Sequence, residues 1–162
     1  MIEHDFIARF GAIYEHSPWV AERACAEIGL GDDIERIAEV MSEVVDNASA
    51  ERQLALLRAH PDLAGKARLA GELTEASASE QASAGLDQCS AEELECFRRL
   101  NVAYRNKFGF PFIMAVRDAD RAEILDAFER RLANDATIEF ETALAEVHKI
   151  ARLRLAAIED GP

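Results

Sequence analysis

Apolar residues recur along most of the chain at the three-to-four-residue spacing of amphipathic helices, not at the alternation of strands. Phe6, Ile7 and Phe10 make a first short face that stops near Gly11. Ser17-Pro18-Trp19 reads as an N-cap, a proline at the first helical position and the start of a helix. That helix is expected to end near Gly29-Leu30-Gly31. Asp32 can cap the next one, in which Ile34, Ile37, Met41, Val44 and Val45 share a face. Ser49 can cap a third, carrying Leu54 and Leu57 up to His60. Pro61 follows, and a residue before proline is pushed out of the α region. His60 is therefore expected at a helix end, partly exposed, with its side chain free to enter a cleft.

Residues 62–74 are weakly patterned and read as a loop with at most one short helix. Ser77-Ala78-Ser79-Glu80 matches a capping box, with Gly85 as the stop. Ser90-Ala91-Glu92-Glu93 matches another, ahead of Leu94, Phe97, Leu100, Tyr104 and Phe108 on one face and Gly109 as the end. The apolar run from Phe110 to Val116 has no second strand to pair with, so a buried extended segment is expected. Asp118 or Asp120 opens a helix bearing Ile124, Leu125, Phe128 and Leu132. Thr137 is expected to cap the last and longest helix, with Phe140, Leu144, Val147, Ala151 and Ile158 on its apolar side. The pattern contains no repeat and no linker. It predicts an all-α, single-domain bundle over residues 1–162, with about seven to nine helices and one short buried extended segment.

At 162 residues the chain can bury a core without staples. Acidic residues outnumber basic ones 31 to 18, a net charge of -13. Such a surface repels phosphate backbones and anionic lipid, so nucleic acid and membranes are not expected partners. No apolar run reaches the roughly 18 residues of a membrane span, and the first residues show no secretion pattern. The last four residues match no peroxisomal address. Cys25, Cys89 and Cys96 are odd in number and form no C-x-x-C pair, which suits reduced thiols in a cytoplasm.

His60-Pro61-Asp62 is the most conspicuous short element. It suits a structural histidine at a helix C-terminus, a proton-transfer residue, or the tripeptide of J-domains, which bind Hsp70 chaperones. A J-domain is roughly half this length and has a basic helix before the tripeptide. Here the preceding segment carries Glu39, Glu43, Asp46 and Glu51. His4, His16, His60 and His148 share no metal-ligand spacing, and no glycine-rich phosphate loop is present. The cysteines, on or beside amphipathic helices, fit packing better than nucleophilic catalysis. Ser77, Glu80 and Gln81 would lie together at a helix N-terminus beside open backbone N–H groups. A hydroxyl, a carboxylate and an amide there could read a small polar heterocycle.

Several motifs in order carry a resemblance. They are Tyr14-Glu15-His16-Ser17-Pro18-Trp19, Leu56-Leu57-Arg58-Ala59-His60-Pro61-Asp62-Leu63-Ala64, Thr74, and Ser77-Ala78-Ser79-Glu80-Gln81 with Ala84-Gly85-Leu86. Phe97, Leu100-Asn101, Tyr104 and Lys107-Phe108-Gly109-Phe110-Pro111-Phe112-Ile113 complete the set. Over nearly its whole length the chain resembles the 2-oxo-4-hydroxy-4-carboxy-5-ureidoimidazoline (OHCU) decarboxylases of urate breakdown. The resemblance implies an all-α fold, a homodimer, a small-molecule substrate, and no metal or organic cofactor. It implies His60 as the catalytic acid/base, with Glu80 orienting it or holding the substrate hydroxyl. It further implies a substrate pocket lined by Pro61, Ser77, Gln81, Phe112, Ile113, Met114, Ala115 and Val116. With no peroxisomal address, a bacterial, cytoplasmic protein is expected. An anionic substrate would be steered poorly by a chain of charge -13, so a local cation is expected among Lys66, Arg117, Arg152 and Arg154.

Overall fold

The computed structural model describes residues 2–28, 31–65 and 73–160. Among them the chain forms eight α-helices and one 3-10 turn, with no strand. The helices are α1 (Ile2–Phe10), α2 (Trp19–Ala24), α3 (Ile34–Asp46), α4 (Ala50–Arg58), α5 (Glu75–Ser83), α6 (Ala91–Phe108), α7 (Arg121–Leu132) and α8 (Ala136–Asp160). No described helix is long and apolar enough to cross a membrane. The residues group into two compact units, Met1–Ala59 with Val147–Pro162, and His60–Glu146. The all-α expectation therefore holds. Most of residues 62–74, including Lys66, lie outside the described residues.

In the first unit, Pro18 already has helical angles, and its carbonyl accepts from the Glu22 N–H at 3.0 Å. Ser17 does not cap: its hydroxyl donates to the Glu15 carbonyl at 3.1 Å. The cap of α3 is Asp33, one residue after the expected Asp32, and its carboxylate accepts from Arg36 N at 2.8 Å. Ser49 caps α4 as expected. Buried Phe6, Phe10, Val20, Met41 and Leu57 supply core. Tyr14 and Asp46 bracket the His148 imidazole at 2.8 and 2.9 Å. Burial, reinforced by the Asp46 charge, pushes the Tyr14 phenol well above its ordinary range. Arg154 is buried against Glu15 at 2.8 Å and the Ile13 carbonyl at 3.2 Å.

In the second unit, α5 is capped by Thr74, which accepts from Ser77 N at 3.2 Å. The expected Ser77–Glu80 capping box is not formed. Thr74 has the extended backbone of a cap, so the helix starts earlier and Ser77 falls inside its first turn, buried. Gly85 ends this element at φ +79°, a left-handed conformation that glycine adopts without a Cβ penalty. Ser90 and Glu93 form the reciprocal box that starts α6, and Gly109 (φ +81°) ends it. Asp120 caps α7. Asp135, not Thr137, caps α8, accepting from Ile138 N at 2.9 Å. Between α6 and α7 the chain from Phe110 to Val116 runs without regular structure and is mostly buried. It lies against a ring cluster in which Tyr104 meets Phe110, Phe112 and Phe128 edge-on, and Phe112 stacks on Phe128 at 3.9 Å.

Candidate active site

The site residues expected from the sequence all fall in the second unit, on three segments. The first begins at His60, directly after Ala59, the capped end of α4. His60 is 6% exposed, so the imidazole is buried and not partly exposed as its helix-end position suggested. Pro61 beside it is half-buried and limits the backbone through its fixed φ. The following residues turn sharply. Ala64 has φ +50°, a left-handed conformation that is costly for a residue with a Cβ. A Cβ on Gly65 would meet the Asp62 Cβ at 2.6 Å, so the turn closes more tightly than any other residue there would allow.

The second segment is α5. Ser77 and Gln81, four residues apart, are both buried on its inner face, while Glu80 is half-buried. Gln81 joins α5 to the first segment: its Oε1 accepts from the Ala64 N–H at 3.0 Å, and its Nε2 donates to the Asp62 carbonyl at 3.3 Å. With Thr74 as the cap, Glu80 and Gln81 lie in the second turn, away from the open N–H groups of the helix start. The anticipated cluster at a helix N-terminus is thus replaced by an inner helix face. At the far end of α5, the Ser83 hydroxyl donates to the Glu80 carbonyl at 2.7 Å, with the Arg117 carbonyl 3.5 Å away.

The third segment is Phe112 to Val116. Phe112, Ile113 and Val116 are buried; Met114 and Ala115 are half-buried. Arg131 of α7 lies over the Phe112 ring at 4.4 Å and donates from Nη1 to the Ile113 carbonyl at 2.6 Å. Glu146 of α8 accepts from the Ala115 N–H at 3.1 Å. Arg131 is itself held by Glu139, a carboxylate with no solvent exposure, from Nε at 2.5 Å. Glu139 also receives the Tyr104 hydroxyl at 2.6 Å and Asn134 Nδ2 at 3.0 Å. Burial first, and then the bond to Glu139, hold the Tyr104 phenol well above its usual range, so it stays a neutral donor.

Two groups to which sequence reasoning gave no site role anchor the first and third segments to neighbouring helices. Asn101, on the buried face of α6, donates from Nδ2 to the Leu63 carbonyl at 3.0 Å. One turn on, Arg105 Nε reaches Asp62 Oδ1 at 3.1 Å. The Arg131–Glu139 pair is the other. The available signal was a polar residue on an apolar stripe: Asn101 lies between Phe97 and Tyr104, and Arg131 follows Phe128 by three. Of the cations considered, Arg117 is exposed in this unit, whereas Arg152 and Arg154 belong to the first unit.

The sequence matches the OHCU decarboxylase family over residues 1–156. It is 50% identical over 154 residues to the 2-oxo-4-hydroxy-4-carboxy-5-ureidoimidazoline decarboxylase of Haloferax volcanii, covering 95% of this chain and 89% of that one. The protein of that name from Xenopus laevis is 36% identical, covering 96% and 88%. Among solved structures, an (S)-allantoin synthase superposes with a TM-score of 0.75 at 35% identity; 96% of this chain matches 50% of that one. The chain thus spans half the length of that solved protein. An OHCU decarboxylase crystallised in the presence of (S)-allantoin gives 0.73 at 26% identity, covering 90% and 94%. On the extent of this match, from residue 1 to residue 156, the chain belongs to the OHCU decarboxylase family.

Proposed function

We propose that this chain decarboxylates 2-oxo-4-hydroxy-4-carboxy-5-ureidoimidazoline to (S)-allantoin and CO2 in urate breakdown. The chemistry needs little from the protein beyond orientation and one proton. When the carbon–carboxylate bond breaks, its electron pair passes into the adjacent imine of the ring. The substrate is therefore its own electron sink, the task that thiamine, pyridoxal phosphate or a metal performs elsewhere. A proton must then reach one face of the ring carbon that bears the ureido group, and this step sets the product's hand. Histidine, with an ordinary pKa of about 6.5, suits such a transfer near neutrality.

The observation that carries the reading is His60. It is a buried imidazole next to a proline and a tightly specified turn, in a chain whose curated relatives carry the decarboxylase name. In this reading His60 is the acid/base and Glu80 orients it or holds the substrate hydroxyl. Pro61, Ser77 and Gln81 line one side of the substrate and Phe112 to Val116 the other. The Ile113 carbonyl is taken by Arg131 and the Ala115 N–H by Glu146. The Val116 carbonyl accepts from the Ala119 N–H at 3.1 Å, so the backbone of Met114 is the part of this segment we assign to the ureido and carbonyl edges. Gln81 spends one N–H and one lone pair on the 62–64 backbone and keeps a second of each for substrate. The family match runs across both compact units, which supports reading them as one catalytic domain. All three cysteines are thiols, which fits the reducing cytoplasm; the homodimer rests on the family resemblance. Intermediate freshly made from urate should disappear faster in proportion to added protein. Decay at the unaided rate would end the proposal.

Glu80 gives a second test. Because Thr74 caps α5, Glu80→Gln alters no cap, and it keeps the side chain's size while removing its charge. Turnover should fall roughly tenfold or more, with little change in melting temperature. A fully active Glu80→Gln protein would remove this carboxylate from the chemistry.

A further inference from the structure

We propose that Asn101 and Gln81 form an amide clamp that positions His60, with Asn101 a positioning residue of this reaction. The proposal rests on the reading of His60 as the acid/base. After His60 and Pro61, the chain is held at three successive residues by two side-chain amides. Gln81 takes the Asp62 carbonyl and the Ala64 N–H, and Asn101 takes the Leu63 carbonyl between them. Both amides are buried, at 2% and 6% exposure. They come from different helices, α5 and α6, so the turn is gripped from two sides.

Two features of the clamp are unfavourable by themselves. Ala64 is held at φ +50°, where the backbone of a residue with a Cβ is strained. Asn101 Oδ1 is buried with no hydrogen-bond partner among the described residues. A leucine at position 101 would fill similar space and remove the unpaired Oδ1, but it would take the donor away from the Leu63 carbonyl. The bond gained at Nδ2 and the acceptor left unpaired at Oδ1 largely offset each other, so stability gives asparagine little advantage on this face of α6, between Phe97 and Tyr104. What asparagine supplies is a directed N–H to the Leu63 carbonyl. With the Asp62–Ala64 backbone fixed and Pro61 locked in φ, His60 has little freedom to move along or about the chain.

The test compares wild type with Asn101→Leu in two readouts. One is the rate of intermediate loss, resolved into kcat and KM. The other is the His60 ring resonance in histidine-labelled protein, assigned through His60→Asn and followed with pH. The clamp predicts a folded Asn101→Leu protein with a melting temperature close to wild type, the lost bond to Leu63 being offset by removal of the unpaired Oδ1. Its kcat should fall roughly 10–100-fold, the scale of an ångström-level misplacement, with a smaller change in KM. The His60 resonance and its titration should shift, and Ala64→Gly in the same background should restore part of kcat, since glycine takes positive φ without strain. If Asn101→Leu does not fold, Asn101→Asp replaces it, keeping the size and losing the donor. Unchanged kcat and an unmoved His60 resonance in a folded variant would overturn the clamp. A wild-type protein inactive on the intermediate, whose His60 resonance nonetheless moves in the variant, would overturn the reaction and leave the clamp standing.

Discussion

His60→Asn should lose about 10²–10⁴-fold in turnover, the usual contribution of a general acid/base. Asparagine keeps a similar size and some hydrogen bonding but carries no proton it can give or take near neutral pH. Among the other histidines, His148 is bracketed by Tyr14 and Asp46, and His16 is exposed next to Glu15. Neither belongs to the unit that holds the expected site. Because the imidazole is buried, the substitution should also lower stability, by about 0.5–3 kcal/mol. Initial rates must therefore be compared with a thermal melt at the assay temperature. A folded His60→Asn protein with near-normal turnover would take His60 out of the mechanism.

Glu139→Leu should produce the largest loss of stability, about 3–5 kcal/mol, since it leaves the buried Arg131 guanidinium without its counter-charge. The Tyr104 hydroxyl and Asn134 lose their acceptor in the same step. For a chain of this size the melting temperature should fall by roughly 6–20 °C. The double variant Arg131→Met/Glu139→Leu removes both charges and should recover much of that loss, because a well-packed apolar pair often matches a buried ion pair. It would still lack the guanidinium on the Ile113 carbonyl. Urea unfolding of the two variants measures both effects. A Glu139→Leu midpoint equal to wild type would mean that the pair is solvated and unimportant to the second unit.

Much of the fold was legible because its signals are local. The apolar faces of α3, α6 and α7, the caps Ser49, Ser90 and Asp120, and the glycine stops at 85 and 109 each depend on residues within a turn of one another. The misplaced caps share one cause. Thr74 and Ser77, Asp135 and Thr137, and Asp32 and Asp33 are neighbours equally able to cap, and packing decides which one turns outward to do so. The residues expected at the site were named through family motifs, and Asn101 stood among those motifs, but the contacts that support them were not legible. Asn101 meets Leu63 across 38 positions, and Arg131 reaches back 18 positions to Ile113. No periodicity reports such pairings. The burial of His60 was missed for the same reason: proline predicts a helix end, and only tertiary contacts decide whether that end faces water.

The measurement that bears most directly on the central claim is circular dichroism of allantoin as it forms during coupled urate oxidation. The intermediate decays unaided to racemic product, so the hand of the product reports the protein's part where its amount does not. The account predicts a rapid build-up of the (S) enantiomer, with an initial rate linear in wild-type protein and lost in His60→Asn. Racemic allantoin, appearing at the rate seen without protein, would contradict it.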